Sequence, residues 1–226
     1  MGTDLRIGVI DTGCSALQAE RIAGARRFWL EQGELREGPP HADALGHGSQ
    51  VLDCLLAQGG SGAVLIAQVF GQQGLTSALQ VSAALLWLVE QGAVLVNMSL
   101  GLQQDRNVLR AACALAVEAG VVLCASSPAR GAPVFPAHYP GVLRVTGDAR
   151  CAPGQWSWLD TDQADFGAPV DPASGVSGAS LACAALCGQV RALLTLQPKA
   201  SHAQVLAYLR DNATYAGPER RGREHG

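Results

Sequence analysis

Apolar residues along this chain fall into two alternating kinds of run. Short, almost wholly apolar and β-branched runs occur at Leu5–Ile10, Ala63–Phe70, Ala93–Met98, Val121–Ala125 and Val142–Thr146. Strands covered on both faces have this pattern, because neither face has to meet water. Longer stretches with helical spacing of apolar positions lie between and after them, at Gly48–Ala57, Ser77–Gln91, Asp105–Ala119, Ser180–Leu196 and Ser201–Asn212. Gly92 and Gly120 stand where a helix should stop and a strand begin, and Pro198 separates the last two helices. The alternation predicts an α/β domain: a mostly parallel central sheet, right-handed crossovers and helices on both faces, three layers in all. Sites in such sheets form at the C-terminal strand ends. Loops are expected at Gly33–Leu45, Ser126–Ala137 and Ala149–Ser177.

Composition narrows the function. Of 226 residues, 48% are hydrophobic and 15% charged, enough for one large covered core, so residues 1–215 are expected to form a single domain and 216–226 a flexible tail. The formal net charge is −3, from 16 Lys and Arg against 19 Asp and Glu. That balance argues against nucleic-acid or membrane partners, since neither phosphate nor anionic lipid would find a basic face. The one basic concentration, Arg220-Arg221-Gly222-Arg223, reads as a solvated terminus. No basic segment followed by an apolar core opens the chain, and no run approaches the ~20 apolar residues of a membrane helix. Seven cysteines, an odd number without zinc spacing, fit buried reduced thiols, so a cytoplasmic protein is expected.

Three segments carry chemistry. Ile7-Gly8-Val9-Ile10-Asp11-Thr12-Gly13 is a strand ending in a carboxylate and a tight turn; by itself it would also suit phosphate or metal chemistry. Asp43-Ala44-Leu45-Gly46-His47-Gly48-Ser49 sets a histidine between glycines at a helix start, which allows close backbone approach. Ser177-Gly178-Ala179-Ser180-Leu181-Ala182 leads into a long Ala/Leu/Cys helix, where a serine taken alone is usually a cap. A serine hydroxyl needs a histidine to take its proton, and that histidine needs a carboxylate to fix its tautomer. The chain supplies them in the order Asp, His, Ser, which distinguishes one family of serine proteases from the others.

The three segments resemble the signatures of the subtilases, the subtilisin-like serine proteases, and the resemblance spans residues about 5 to 212. It implies a subtilisin-like fold, an endopeptidase without cofactor or metal, and Asp11, His47 and Ser180 as its catalytic triad. Val96-Asn97-Met98-Ser99-Leu100-Gly101 resembles the strand whose end lines the family's cleft, which implies that Ser99, Leu100 and Gly101 pair with an extended peptide or protein substrate. Phe135-Pro136-Ala137-His138-Tyr139-Pro140-Gly141-Val142 resembles a family stretch in which the first proline often follows a cis bond, and Gly188 falls at a packing glycine. Family alignment sets Val134 at the floor of the pocket for the residue before the scissile bond.

Departures from the family also carry information. Subtilases place an oxyanion-binding Asn after the strand corresponding to Val121–Ala125; Ala129 stands there, and none of the chain's three asparagines suits that loop. The oxyanion would keep the Ser180 backbone N–H and need a second donor from Ser126, Ser127 or Arg130, a loss that costs ~10²–10³ in rate if unmet. Ala184 replaces the proline four residues after the nucleophile, loops are short, and a domain without a pro-region is expected. Compact subtilases of this kind occur beside peptide-modifying enzymes, which implies such enzymes as partners. His41, Asp43 and His47 could instead ligate a metal, and Cys183 with Cys187 could be ligands or redox thiols, but glycine-flanked and apolar surroundings favour the triad and core packing. Asp43 reads as a helix-entry or solvated residue, and Trp156 and Trp158 as loop anchors.

Overall fold

A computed structural model describes residues 5–170 and 178–219. Ser177 of the nucleophile segment and the Arg220–Arg223 cluster lie outside the described residues. The strands are β1 (Arg6–Asp11), β2 (Gly24–Glu31), β3 (Glu34–Gly38), β4 (Ala63–Gln68), β5 (Leu95–Met98), β6 (Val122–Ser126), β7 (Val142–Gly147), β8 (Ser157–Trp158), β9 (Phe166–Ala168) and β10 (Tyr215–Ala216). They form one sheet in the order β10-β8-β9-β7-β6-β5-β1-β4-β2-β3, parallel throughout except for the β2–β3 and β8–β9 pairs. The helices are α1 (Ala16–Ala19), α2 (His47–Ala57), α3 (Ala78–Glu90), α4 (Asn107–Glu118), α5 (Gly178–Leu196) and α6 (His202–Asp211).

Each sheet face has its own apolar layer. Ile7, Val9, Ile66 and Val145 meet α2, α5 and α6 on one side, while Ile10, Leu65, Val96 and Leu123 meet α3 and α4 on the other. The strand alternation sorts these residues, since successive side chains point to opposite faces. This is the expected three-layer α/β arrangement. The five long apolar runs became the central strands β1, β4, β5, β6 and β7.

Several elements differ from expectation. The segment Gly33–Leu45 is not a loop throughout: β2 and β3 form a hairpin whose turn sets Gln32 and Gly33 at φ 52° and 82°, the double left-handed geometry that matches strand twist. Within Ala149–Ser177, β8 and β9 extend the sheet. Ala216, expected in the tail, belongs to β10, and the Gly217 N–H donates to the Trp158 carbonyl at 2.8 Å. α5 has the 19-residue length and apolar composition of a membrane span, which composition alone had not suggested, yet 72% of that span is buried within the protein. Phe135–Pro136 is cis, as expected.

α5 and α2 lie side by side starting from the same end. The Cys54 thiol donates to the Leu181 carbonyl at 3.4 Å, and further along Gly188 packs on Leu55 and Gln58. A Cβ at Gly188 would lie 2.5 Å from the Leu55 carbonyl oxygen and 2.6 Å from Gln58 Cγ. Helix propensity alone makes Ala about 1 kcal/mol better than Gly, whereas overpacking costs about 1–3 kcal/mol. Gly188→Ala is therefore expected to destabilise the protein in urea unfolding, by about 1–2 kcal/mol net. An unchanged or raised midpoint would mean that the two helices separate freely.

Candidate active site

Asp11 ends β1, which is flanked by β4 and β5 in the middle of the sheet. Strands run outward from β1 in both directions, so its C-terminal end is a switch point where sites form. The Asp11 side chain is fully buried, and its Oδ1 accepts from the Thr12 N–H at 2.7 Å and from His47 Nδ1 at 2.6 Å. Among the described residues Oδ2 has no hydrogen-bond partner. His47 opens α2 with a quarter of its side chain exposed, so one ring nitrogen is tied to the carboxylate while the ring stays open to the cleft.

The glycines beside His47 serve different ends. Gly46 is the helix N-cap at φ 73°, a backbone conformation costly to other residues. A side chain at Gly48 would run into the Gly13 backbone. That approach lets the Gly48 N–H donate to Thr12 Oγ1 at 2.7 Å, and the Thr12 hydroxyl in turn donates to Asp43 Oδ1 at 2.8 Å. Asp43 is no solvated residue. It collects five donors, from the Thr12 hydroxyl, the Leu45, Gly46 and Ser49 N–H groups and the Ser49 hydroxyl. Burial works against ionisation of Asp43, but these donors outweigh it and hold the carboxyl below its usual range. The turn after β1 and the start of α2 are thereby tied into one unit.

Ser180 is the third residue of α5 and is buried at 6% exposure. Its hydroxyl donates to the Ser99 carbonyl at 3.3 Å, while the Ser99 hydroxyl donates to the Ser180 carbonyl at 2.9 Å and accepts from Asn97 Nδ2 at 3.0 Å. It is thus inside the first turn and is not a cap accepting from its own helix. Among the described residues, its hydroxyl makes no hydrogen bond to His47. Because α2 and α5 run together from one end, His47 and Ser180 both sit at that end.

The other expected residues distribute unevenly. Ser99 and Leu100 are buried and Gly101 is exposed; beyond β5 the backbone re-enters pairing only at the Leu102–Phe135 bridge. Val134 lies against Gly101, where a Cβ would come within 3.0 Å of its Cγ2. Ser127 must be corrected: fully buried, it donates its hydroxyl to the Gln163 carbonyl at 2.6 Å and its N–H to Val145 at 2.8 Å, so it can serve neither substrate nor oxyanion. Ser126 is buried at the end of β6. Ala129 and Arg130 are exposed and line a cleft of 440 Å³ with Gly147, which packs against Gly178 at the start of α5.

The metal alternative dissolves into separate partners. His41 contacts Arg27, Asp43 binds its donors and His47 binds Asp11. Cys183 and Cys187 are wholly enclosed, and burial pushes their thiols well up; it takes Cys54 and Cys151 to about 11 and Cys113 to about 12. Trp156 is a buried anchor donating to the Leu209 carbonyl at 2.7 Å.

Over 96% of its length the chain is 27% identical to a thermostable alkaline protease of Halalkalibacterium halodurans and 26% identical to subtilisin Savinase of Lederbergia lenta. It spans 64% of the first protein and 86% of the second. A solved lanthipeptide protease superposes over 93% of this chain and 80% of its own with a TM-score of 0.71, at 16% identity. The fold is subtilisin-like. No family model matches the chain.

In this subtilisin-like frame the Asp11–His47 pair sets the proton chemistry. Burial is the strongest influence on His47 and pulls its pKa down, but the hydrogen bond and charge of Asp11, with Asp43 adding, outweigh it and leave the imidazole above the usual 6.5. Burial also dominates at Asp11, pushing its carboxyl up against the bonds from His47 and Thr12. The direction that governs reactivity is that of His47, because an anionic Asp11 favours the imidazolium. An NMR titration of the ring is expected to give a midpoint above 6.5, and Asp11→Asn should lower it, since burial is then opposed only by the charge of Asp43. A midpoint that Asp11→Asn leaves in place would show that Asp11 does not govern the imidazole.

Proposed function

We propose that this chain is a subtilisin-like serine endopeptidase. The observation that carries the reading is the 2.6 Å bond between buried Asp11 and His47 Nδ1, set at the same end of the fold as a serine in the first turn of α5. The Ser180 hydroxyl attacks the scissile carbonyl while His47 takes its proton, and Asp11 holds the ring and stabilises the imidazolium. The tetrahedral oxyanion meets the Ser180 N–H at the positive end of α5. His47 then returns the proton to the leaving amine, and a water activated by the same ring releases the acyl group.

A second reading, a peptide-gripping protein without catalysis, draws on two observations: Ala129 stands where an oxyanion donor is expected, and Ser180 is turned to Ser99. Fluorophosphonate labelling decides between them, since only an activated serine forms the adduct. We expect an adduct on Ser180 and none in His47→Ala. Ser180→Ala should fold yet lose ~10⁴–10⁶ in kcat, because triad members act as a unit. Cleavage of peptide by Ser180→Ala at the parent rate would remove Ser180 from the mechanism.

The substrate we propose is one leader-bearing peptide, modified by partner enzymes and cut in the cytoplasm. The seven unpaired cysteines suit a reducing compartment, and the backbone from Ser99 to Gly101 can pair with an extended chain whatever its sequence. In overall impression the chain resembles the leader peptidase that matures the small subunit of quinohemoprotein amine dehydrogenase. Val134 against Gly101 favours Gly, Ala or Ser before the scissile bond, a preference worth only ~1–3 kcal/mol per methylene of misfit. A cognate leader peptide should be cut once and casein poorly, by mass spectrometry of the products. Digestion of casein to many fragments, or Phe outrunning Ala tenfold at that position, would describe a general protease instead.

A further inference from the structure

One row of the sheet continues past Asp11. Asp11 pairs with Gln68 on β4, and Gln68 pairs with Arg27 on β2, so the three residues share one register and one face, at the ends of β1 and β4 and at the last paired position of β2 against β4. Two strand spacings put the Arg27 backbone about 10 Å from that of Asp11. Arg27, His41, Gln68 and Thr12 line a 150 Å³ pocket, with Leu45 and Phe70 as its apolar walls. Thr12 adjoins Asp11 and Leu45 stands two residues before His47, so this pocket opens beside the triad.

The pocket holds a guanidinium with no carboxylate to answer it. In the same hairpin Arg26 pairs with Glu37 at 2.9 Å and Arg36 with Glu34 at 2.7 Å. Opposite Arg27 the register supplies Gly38, where a side chain would press on Trp29 at 3.3 Å. Among the described residues Arg27 has no ion pair. Its guanidinium instead lies over the Trp29 ring at 4.6 Å and reaches His41 Nε2 at 3.0 Å, contacts that orient it and leave its charge unneutralised. Gln68 fixes the floor: it accepts from the His41 N–H at 2.8 Å and donates to the Thr12 carbonyl at 2.7 Å. Of the two acids near this pocket, Asp11 is bound to His47 and Asp43 is taken up by its five donors.

We propose that Arg27, oriented by Trp29 and His41, forms a subsite for a carboxylate side chain of the substrate near the scissile bond. This rests on the protease reading and adds to it a charge requirement. An acidic residue passing the triad would pair with a planar, pre-oriented donor in a half-enclosed pocket, where a charge-assisted bond discriminates by about tenfold or more. The neutral amide of the same shape would leave the cation unanswered.

The test uses fluorogenic peptides with Ala before the scissile bond and Glu, Gln or Lys placed in turn at each of four positions on either side. We expect one position at which Glu exceeds Gln about tenfold in kcat/KM. The ratio should fall to about one in Arg27→Ala and Arg27→Gln and turn in favour of Lys in Arg27→Glu. Taking the ratio within each variant cancels any loss of folded enzyme. Cleavage with no Glu preference anywhere, or a preference that survives all three substitutions, overturns the subsite and leaves the protease reading standing. If no peptide is cut and no Ser180 adduct forms, the protease reading falls with it. Binding of the same peptides to Ser180→Ala, by fluorescence anisotropy, must show the same Glu-over-Gln ratio and its loss in the Ser180→Ala, Arg27→Ala double variant; equal binding also overturns the proposal.

Discussion

The arrangement depends on keeping one carboxylate dry. Asp11 is fully buried at the end of a strand that is itself covered on both faces. An isolated buried charge would simply take up a proton, so the site must supply compensating donors. Thr12 gives its N–H and His47 its ring N–H, both to Oδ1, and among the described residues Oδ2 is left unpaired. That shortage of donors makes the histidine contact expensive to break. It holds the imidazole in the tautomer that leaves the other nitrogen free as a base. Asp43 then secures the geometry, because its donors come from both the β1 turn and the α2 start. Neither segment can shift without the other.

What the sequence revealed and what it hid divide along the same physical line. The five central strands and the long helices were legible because burial on two faces or on one stripe leaves a local pattern. The β2–β3 hairpin was not, because an edge carrying Arg26, Arg27 and Arg36 has an apolar run of only three residues, Phe28–Leu30, and its turn uses Gln32 where Asn would have signalled it. β8 and β10 are two residues each, too short to leave any periodicity. Triad candidates were readable since each sits in its own local motif. Asp43 was legible as a helix-entry residue but its tie to the β1 turn was not, because Thr12 lies 31 residues away, and Ser127 was misread because its acceptor, Gln163, lies 36 away. Glycine carried signal in both regimes: Gly46 for its backbone angle, Gly48 and Gly188 for close approach.

The state of the serine follows from the strength of its present bond. Ser180 and Ser99 exchange hydroxyl-to-carbonyl bonds, which clamp the first turn of α5 onto the end of β5. The bond that the Ser180 hydroxyl donates is long, at 3.3 Å, and joins two neutral groups, so its net worth is at most about 1 kcal/mol. The clamp in the other direction, at 2.9 Å, does not involve the Ser180 side chain at all. The backbone of the serine is therefore fixed while its hydroxyl keeps rotational freedom. An extended peptide laid against Ser99–Gly101 would compete for the same Ser99 carbonyl, and an N–H placed there would release the hydroxyl at little cost. In the proposed mechanism the carboxylate–imidazole pair is built before substrate arrives, and the Ser180 hydroxyl is the part left to turn.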